Sequence, residues 1–497
     1  MSSSLLLSGF DVRSVDFGDA ELLLPPLPQP TVESVADACA RALEEPVDGP
    51  PLRTLLAGKK HLCVLVDDFT LPLPPASRDP RRDMLEAVLD ALAAQRIKPA
   101  QVRVLVANGL SRQWRPAELT DFLGPRATAL FPTRCHDAVD ARELKLFGDS
   151  PTGPLELARA QAEADLCIHL NVVAAPALAG AMGLVRGTTG LDTWRELNAP
   201  PLFDGAPFWS EASSWRAAHL AAAAIYEKQV PVFQVSAVLD NAMWGQRVSS
   251  WLDNIDETSR PVQLWNAMPE AVRHRAARLM RAEHGPLEVF GGPPAAVAPR
   301  ALEAFARQHE VRAKGEADIL VFGLPDLGPF SFGTAQNPVL VAHTALGMVA
   351  QLATAGHLLR PSGAIVFANP LRPAFDRGAH RAYEELYEKV LRHEREPEGI
   401  EAGYAPALLA DQSLSGAYRH RYAFHPAHAL ASWAQCTPLR RRAARIFVAH
   451  GDPRACARFG FSAAPDMVAA LARAREAVGG TPKVRVLGLP PPFFVKV

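Results

Sequence analysis

Residues 81–107, RRDMLEAVLDALAAQRIKPAQVRVLVA, contain the two periodicities that decide the fold. Apolar residues in the first half recur at helical spacing, with charged residues between them. These residues are Met84, Leu85, Val88, Leu89 and Leu92. The run "VRVLVA" (102–107) and the earlier run "HLCVLV" (61–66) are short and apolar, which is typical of buried strands. A strand, a helix and a strand in this order predict a parallel sheet covered by helices.

The alternation of strands and helices continues to the end of the chain. Further strand patterns occupy 164–173, 231–239, 317–323, 363–369, 445–450 and 483–488, and helical patterns occupy 339–356, 379–393 and 465–478. The stretch "GPLEVFGGPPAAVAP" (285–299) is rich in proline and glycine, which favours a linker. We therefore predict an α/β fold of two domains, with mostly parallel sheets flanked by helices and a ligand cleft between them. The predicted parts are an N-terminal domain (1–284), a linker (285–300) and a C-terminal domain (301–497).

Composition argues against several classes of partner. The 497 residues carry a formal net charge of −1, so the whole protein has no general attraction for nucleic acid or an anionic membrane. The strongest local basic run, "LRRRAAR" (439–445), is interpreted as the solvated end of a helix or start of a strand. The apolar segment 339–359 contains two histidines and a glutamine, so we expect a buried helix rather than a membrane span. The six cysteines form no CxxC pair, which favours a reducing compartment over a structural zinc site, and we predict a cytoplasmic protein.

Three predicted strands end in loops that could contact a ligand: "DDFTLP" (67–72), "NGLSR" (108–112) and "AAPALAGAMGLVRG" (174–187). Ligands of parallel sheets bind beyond the carboxyl ends of the strands, where these loops would lie side by side. Asp68 and Thr70 would suit a ribose or another hydroxyl. A guanidinium can grip an anion with two hydrogen bonds, so Arg112 and Arg186, with Ser111, would suit an anion. The alternative is that Asp68, Thr70 and Ser111 only cap helices and turns.

The same loops resemble motifs of the nickel-pincer lactate racemase-like family, of the lactate racemase N-terminal domain type. Its members look like S-D-x-T-R-P, A-T-G-x-H-R and S-H-F-F-A-G-F-S-G-G-R-K at these places. The chain keeps Asp68, Thr70, Gly109, Arg112 and Gly180, and it differs at Leu71, Ser111, Pro176 and Arg186. The resemblance covers most of the chain and is strongest over 55–190.

The resemblance implies a nickel pincer nucleotide tethered through a lysine, a histidine that ligates the metal, and two histidine bases. Arg186 stands at the tethering position, and a guanidinium stays protonated and cannot act as that nucleophilic amine. Ser111 and Pro176 stand at the histidine positions, and neither supplies a base near neutral pH. The stretch "ELNAPPLF" (196–203), where the nickel histidine would fall, has no imidazole. We therefore expect a divergent member without the nickel-pincer nucleotide and without a metal site.

Two further stretches carry candidate residues. "YRHRYAFHPAHALASW" (418–433) holds His420, His425 and His428, which would form a patch packed between the domains, unless they face the cleft, where His425 or His428 could replace the lost bases. The loop "FGLPDLGPFSFG" (322–333) contributes Asp326 and Ser331 as potential ligand contacts.

Three functions remain open at this stage. In the first, Asp68, Thr70, Gly109, Arg112, Gly180 and Arg186 bind a small anion, a hydroxy acid or a mononucleotide, and racemase chemistry is lost or altered. In the second, the protein is a 2-hydroxy acid racemase or epimerase, an isomerase, with a rearranged catalytic set of Ser111, His425 and His428. In the third, it is a noncatalytic pseudoenzyme that binds a protein partner.

Overall fold

The computed structural model describes residues 3–68, 76–203, 206–207, 210–242, 260–279, 281–326, 336–354, 358–488 and 494–497. Thr70, Leu71 and Ser331, which were singled out above, lie outside the described residues.

The strands of the described residues fall into two large sheets and two small ones. They are β1 (Ser3–Gly9), β2 (Asp11–Asp16), β3 (Glu21–Leu23), β4 (Leu62–Asp67), β5 (Val102–Ala107), β6 (Thr133–Cys135), β7 (Leu144–Ser150), β8 (Gly153–Ala158), β9 (Leu166–Val173), β10 (Val232–Leu239), β11 (Pro286–Gly292), β12 (Glu310–Arg312), β13 (Ala317–Pro325), β14 (Leu359–Ala368), β15 (Arg445–Ala449), β16 (Ser462–Ala464), β17 (Val484–Leu487) and β18 (Phe494–Lys496).

The helices cover the faces of these sheets and connect their strands. They are α1 (Val35–Glu44), α2 (Leu52–Leu55), α3 (Pro80–Ala94), α4 (Pro116–Leu123), α5 (Pro125–Leu130), α6 (Arg159–Ala162), α7 (Gly183–Arg186), α8 (Leu191–Leu197), α9 (Ser214–Glu227), α10 (Arg260–Ala267), α11 (Glu270–Leu279), α12 (Pro294–His309), α13 (Pro338–Ala342), α14 (Ala350–Thr354), α15 (Arg381–Glu385), α16 (Pro397–Gly403), α17 (Ala405–Ala410), α18 (Gln412–Arg421), α19 (Pro426–Ala434), α20 (Thr437–Arg442), α21 (Pro453–Phe459) and α22 (Met467–Val478). Short 3₁₀ turns lie at Pro99–Gln101, Ala141–Glu143, Pro176–Leu178 and Pro200–Phe203.

The first large sheet has six strands in the order β11-β10-β9-β4-β5-β6. Its neighbours pair in parallel except β10 and β11, which are antiparallel. Local chemistry fixes the crossover from β4 to β5 by α3. Asp79 caps that helix by accepting from the Arg81 N–H, and Pro80 occupies its first position. The prediction of a mostly parallel α/β fold is confirmed.

The second large sheet has eight strands and takes its edge from the start of the chain. Its path runs β16-β15-β14-β13-β1-β2, and β17 pairs with both β13 and β3. The N-terminal strands were not predicted from the sequence. Leu6, Val15 and Phe17 from this segment are buried in the same core cluster as the apolar residues of β13, β14 and β17.

The stretch predicted as a linker, 285–300, is regular structure. Residues Pro286–Gly292 form edge strand β11, and α12 begins at Pro294. Two features explain why a Pro/Gly-rich sequence is ordered here. Proline in the first turn of a helix removes only an N–H that would lack a helical partner, and Gly291 lets the Ala42 carbonyl approach to where a Cβ would stand. The division into domains at 284 and 301 stays a prediction.

Two predicted helices contain π-helical segments. The pattern at 339–356 forms α13, a π-helix at His343–Val349 and α14, and the pattern at 379–393 forms α15 and a π-helix at Leu386–Val390. Within the described residues, no helix is both long enough and apolar enough to cross a membrane.

Candidate functional site

The loops after β4, β5 and β9 lie side by side, because β4 pairs with β9 on one side and β5 on the other. A backbone hydrogen bond of 3.0 Å from the Gly109 N–H to the Gly187 carbonyl joins two of these loops directly. Gly109 has a φ of +54°, and a Cβ there would lie 3.2 Å from Trp194 Nε1. Glycine therefore permits both the turn and the close contact. We call this region, the loops 67–68, 108–112 and 174–187, the strand-end crevice.

Asp68 lies in the crevice with its side chain almost completely buried. Its Oδ1 accepts a 2.8 Å hydrogen bond from the Trp114 indole N–H. Burying a carboxylate is costly without hydrogen bonds, so this contact fixes the orientation of the carboxylate. Thr70, its predicted companion, is outside the described residues.

Arg112 is engaged by a neighbour in the structure. Its two terminal nitrogens donate to the two carboxylate oxygens of Glu118 at 2.8 and 2.9 Å. The guanidinium also lies over the Trp114 ring, 4.9 Å from its centroid. Glu118 is in the first turn of α4, where the helix dipole favours an acid. The role of Arg112 in ligand binding stays a prediction, and it would require exchange of this ion pair.

Arg186 differs from Arg112 in its surroundings. It is the last residue of α7, and its guanidinium makes no hydrogen bond or ion pair with any residue in the described ranges. Burial lowers the pKa of Arg186 from its ordinary value, while the charges of Asp67 and Asp68 act to raise it. An arginine remains cationic at neutral pH, so this position holds a positive charge whose hydrogen-bonding capacity is unused within the described residues.

Beneath the crevice lies a closed ring of buried hydrogen bonds that sequence reasoning missed. Asp67 Oδ1 lies 2.8 Å from His169 Nε2, and Asp67 Oδ2 accepts from Asn171 Nδ2 at 2.7 Å. Ser236 Oγ donates to Asn171 Oδ1 at 2.9 Å and accepts from Gln234 Nε2 at 2.8 Å. Gln234 Oε1, 3.4 Å from His169 Nδ1, completes the ring. All five side chains are buried.

The ring holds a buried ion pair. Burial acts to raise the pKa of Asp67, but the charge and hydrogen bond of His169, the charge of Arg186 and the hydrogen bond of Asn171 bring it below its ordinary value. Burial acts to lower the pKa of His169, and the adjacent Asp67 carboxylate raises it above its ordinary value. The alternation "CIHLNVV" (167–173) was the available signal, since His169 and Asn171 are two residues apart and lie on one face of β9.

A second histidine near Arg186 also went unpredicted. His219 of α9 is buried, and its Nδ1 lies 2.9 Å from the Trp215 carbonyl oxygen, so Nδ1–H donates that bond. Its Nε2 has no hydrogen-bond partner among the described residues. Burial, with a smaller contribution from the charge of Arg186, lowers the pKa of His219 to about 4. This imidazole is therefore neutral at pH 7.

The predicted histidines His425 and His428 lie at the junction with the second sheet. The His425 N–H donates to the Leu110 carbonyl at 3.2 Å, and its Nδ1 accepts from Ala427 as the cap of α19. Burial lowers the pKa of His425 to about 4 and that of His428 to about 3. His428 Nδ1 is bound by the Tyr383 hydroxyl at 2.6 Å.

The remaining predicted residues are placed as follows. Ser111 is partly exposed, and its hydroxyl makes no hydrogen bond to a described residue. Gly180, with φ +95°, packs against Ala298 of α12. Asp326 lies at the carboxyl end of β13 in the other sheet, hydrogen-bonded to Asn369 at 3.2 Å. His420 lies in the last turn of α18. Among the described residues, no group of three or more histidine, cysteine or acidic side chains is arranged to hold a metal.

Comparison with known proteins gives a consistent result. Residues 13–187 match the family model of the lactate racemase N-terminal domain. A curated lactate racemase from Thermoanaerobacterium thermosaccharolyticum is 29% identical over 151 residues, which are 30% of this chain and 34% of that protein. The matched stretch thus spans about a third of the length of the curated relative.

Solved structures extend the likeness to the whole fold. The lactate racemase apoprotein from the same organism aligns over 100% of both chains with a TM-score of 0.66 and 18% identity. A crystal structure of a Thermotoga maritima protein aligns over 93% of this chain and 97% of its own, with a TM-score of 0.53 and 10% identity. The chain is therefore similar to lactate racemase, by sequence in its N-terminal part and by fold over its length, and the resemblance predicted from its motifs is confirmed.

Proposed function

We propose that the strand-end crevice binds a small molecule that carries both an anionic group and a hydroxyl, such as a 2-hydroxy carboxylate or a mononucleotide. The observation that carries this proposal is the guanidinium of Arg186, a residue of the crevice loops, which makes no hydrogen bond or ion pair with any described residue and is close enough to Asp67 and Asp68 to feel their charges. A carboxylate or phosphate would accept two parallel hydrogen bonds from it. Asp68 would accept a hydrogen bond from the ligand hydroxyl.

The buried ring of hydrogen bonds contributes to the same proposed site, because one of its members lies near Arg186. Asp67 belongs to the ring and contributes negative charge beside Arg186. A ligand anion would therefore meet a guanidinium that lies near two buried carboxylates, whose own positions are fixed by hydrogen bonds. Such prior ordering lowers the entropy lost on binding.

The residues present do not fit the nickel-pincer nucleotide. A covalent tether needs an amine that can lose its proton, and Arg186 carries a guanidinium. His219, whose pKa is lowered by the charge of Arg186, could offer a metal only its Nε2, because its Nδ1 is committed to the Trp215 carbonyl. Racemisation through that group is accordingly no part of the proposed function.

A rearranged racemase built on Ser111, His425 and His428 is less well supported. A general base works best with a pKa near the working pH. Burial lowers the pKa of His425 to about 4 and that of His428 to about 3, so both imidazoles are too weakly basic. Ser111 has no base at hydrogen-bond distance among the described residues.

The test is ligand-induced stabilisation and calorimetric binding, with L-lactate, D-lactate and a pyridine mononucleotide as probes. We expect at least one probe to raise Tm and bind, and Arg186→Gln to weaken that binding at least tenfold. Arg377→Gln, at an exposed arginine, is the matched control and should leave binding unchanged. Equal binding by Arg186→Gln and the parent protein would refute the site. Interconversion of the lactate enantiomers would refute the proposed loss of racemisation.

A further inference from the structure

A second polar cleft lies where α20, β15 and α21 meet residues 392–396. Its volume is about 420 Å³, within the range of sites for small molecules. Its charged lining consists of Arg392, Arg395, Arg440, Arg445, Glu394 and Glu396. The floor includes Phe459 and Phe461. We call this the arginine cleft. It contains part of the basic run "LRRRAAR" (439–445), which the function proposed above does not use.

The two acids of the cleft are already engaged. Glu396 accepts from Arg440 at 2.9 Å and from Arg441 at 3.3 Å. Glu394 accepts the backbone N–H groups of Arg395 and Glu396 at 2.7 and 2.8 Å. Four guanidinium groups against two carboxylates leave the lining positively charged.

Arg395 is fixed in place without being neutralised. Its Nε donates to the Arg458 carbonyl at 2.7 Å and its Nη2 to the Ala457 carbonyl at 3.0 Å. Gly460, another lining residue, lies close to this guanidinium, since a Cβ at that position would be 3.8 Å from Arg395 Nη1. Main-chain carbonyls orient this guanidinium, and its full charge is left for a ligand.

Arg445 provides a second available charge. It is the first residue of β15, it is exposed, and it makes no hydrogen bond or ion pair within the part of the chain that the structure describes. Among the described residues, Arg392 pairs with Glu388 alone, at 3.2 Å between two exposed side chains, and such a pair contributes little to stability in water.

We infer that the arginine cleft is a binding site for the phosphate group of a small phosphomonoester. Arg395 and Arg445 would grip the phosphate oxygens, since planar guanidinium groups match phosphate with paired, charge-assisted hydrogen bonds. The cleft is separate from the strand-end crevice and uses none of its residues. A nucleic acid backbone is the less favoured source of phosphate, because the protein as a whole carries a net charge of −1.

The test uses the full chain carrying Arg186→Gln, so that the strand-end crevice cannot account for binding. Inorganic phosphate and glycerol 3-phosphate are titrated by calorimetry at constant ionic strength. We expect binding of the phosphomonoester, and a tenfold or greater loss of affinity in Arg445→Gln and in Arg395→Gln. Arg445 is exposed, so its variant should fold normally. Arg454→Gln, an exposed arginine outside the cleft, is the matched control and should bind as the Arg186→Gln protein does.

Each outcome decides the matter. Binding of inorganic phosphate with equal affinity would identify free phosphate as the ligand of the same cleft. Absence of binding to either probe would overturn the inference, and so would an equal loss in Arg454→Gln. Because the parent for this test lacks Arg186, these results are independent of whether the strand-end crevice binds hydroxy acids.

Discussion

Gly183 lies where any larger side chain would collide with the buried ion pair. A Cβ at this position would stand 2.5 Å from His169 Cε1 and 2.7 Å from Asp67 Oδ1. Neither group can move without breaking the closed ring. We expect Gly183→Ala to destabilise the protein by about 1–3 kcal/mol, the usual effect of overpacking a core. Urea unfolding measures this directly.

Gly416 is the matched control for that experiment. It lies inside α18, and a Cβ there would meet nothing within 4 Å. Gly416→Ala should be neutral or stabilise by up to about 1 kcal/mol, because alanine is the better helix former. Similar losses of stability in the two variants would show that the ring does not restrict Gly183.

Asp326 should give stability a specific dependence on pH. Burial raises the pKa of Asp326 to about 7 in the folded protein, well above the ordinary value of 3.8. The folded state therefore holds this proton more tightly than the unfolded chain does. The contribution of Asp326 to the free energy of unfolding is therefore most favourable below pH 4, declines as the pH rises, and levels off above about pH 7.

The measurement compares the parent protein with Asp326→Asn by urea unfolding at pH 4.5, 6 and 8. Between the lowest and the highest pH, we expect the free energy of unfolding of the parent to fall by about 3 kcal/mol relative to that of the variant. This figure follows because each unit of pKa difference is worth about 1.4 kcal/mol. The same difference between the two proteins at every pH would contradict the assignment.

Individual strands and helices are predicted best from the sequence where a single hydrophobic periodicity dominates the segment. The strand predicted at 102–107 matches β5 (Val102–Ala107), and the helix predicted in 465–478 is Met467–Val478. Residues 3–23 were missed because the apolar run "LLL" is short and because β13, the strand that joins β1 to the rest of the sheet, is more than 300 residues away. The three loops were expected to lie side by side in a parallel sheet, and the structure has the strands that precede them in the order β9-β4-β5.

The site could be predicted only in part, for a physical reason. Motif positions identify Asp68, Gly109 and Arg186, but a motif does not show which guanidinium is already paired. Glu118 binds Arg112 within one loop and one helical turn, whereas no acidic side chain in the described parts of the chain pairs with Arg186. The ring of Asp67 and His169 joins residues 102 positions apart, which no local pattern reveals.

One buried hydroxyl joins α18 to the loop after β5. Tyr418 is buried, and its OH donates to the Gly109 carbonyl at 3.0 Å. Tyr418→Phe should cost about 1–3 kcal/mol, because it leaves a buried carbonyl with a poorer partner. Thermal unfolding gives the effect on Tm.

Tyr404→Phe is the control for this substitution. Tyr404 is partly buried, and its hydroxyl makes no hydrogen bond to a described residue, so its loss should change Tm little. If both variants unfold at the parent temperature, the Tyr418 hydroxyl does not hold the junction together.

At the scale of the whole molecule, the second sheet is built from both ends of the chain. β1 pairs with β13, and β3 pairs with β17. We expect a fragment of residues 310–497 to lack cooperative unfolding, because the apolar faces that cover Leu6, Val15 and Phe17 would be exposed. The same fragment followed by a flexible linker and residues 1–24 should regain a cooperative transition.

Differential scanning calorimetry and near-UV circular dichroism would distinguish the two fragments. A sharp transition in residues 310–497 alone would show that the N-terminal strands are dispensable, and it would favour the predicted boundary near 301.

Because β3 pairs with β17, β3 cannot form its native pairing until almost the whole chain has been synthesised. Glu21 and the Arg485 side chain that binds it are 464 residues apart. At about 5–20 residues per second, the first strands emerge roughly 25–90 s before their partners exist. During that interval their apolar residues and unpaired backbone are exposed to every other nascent chain. A synonymous change that slows translation late in the message should therefore lower the soluble yield, although the finished polypeptide is identical.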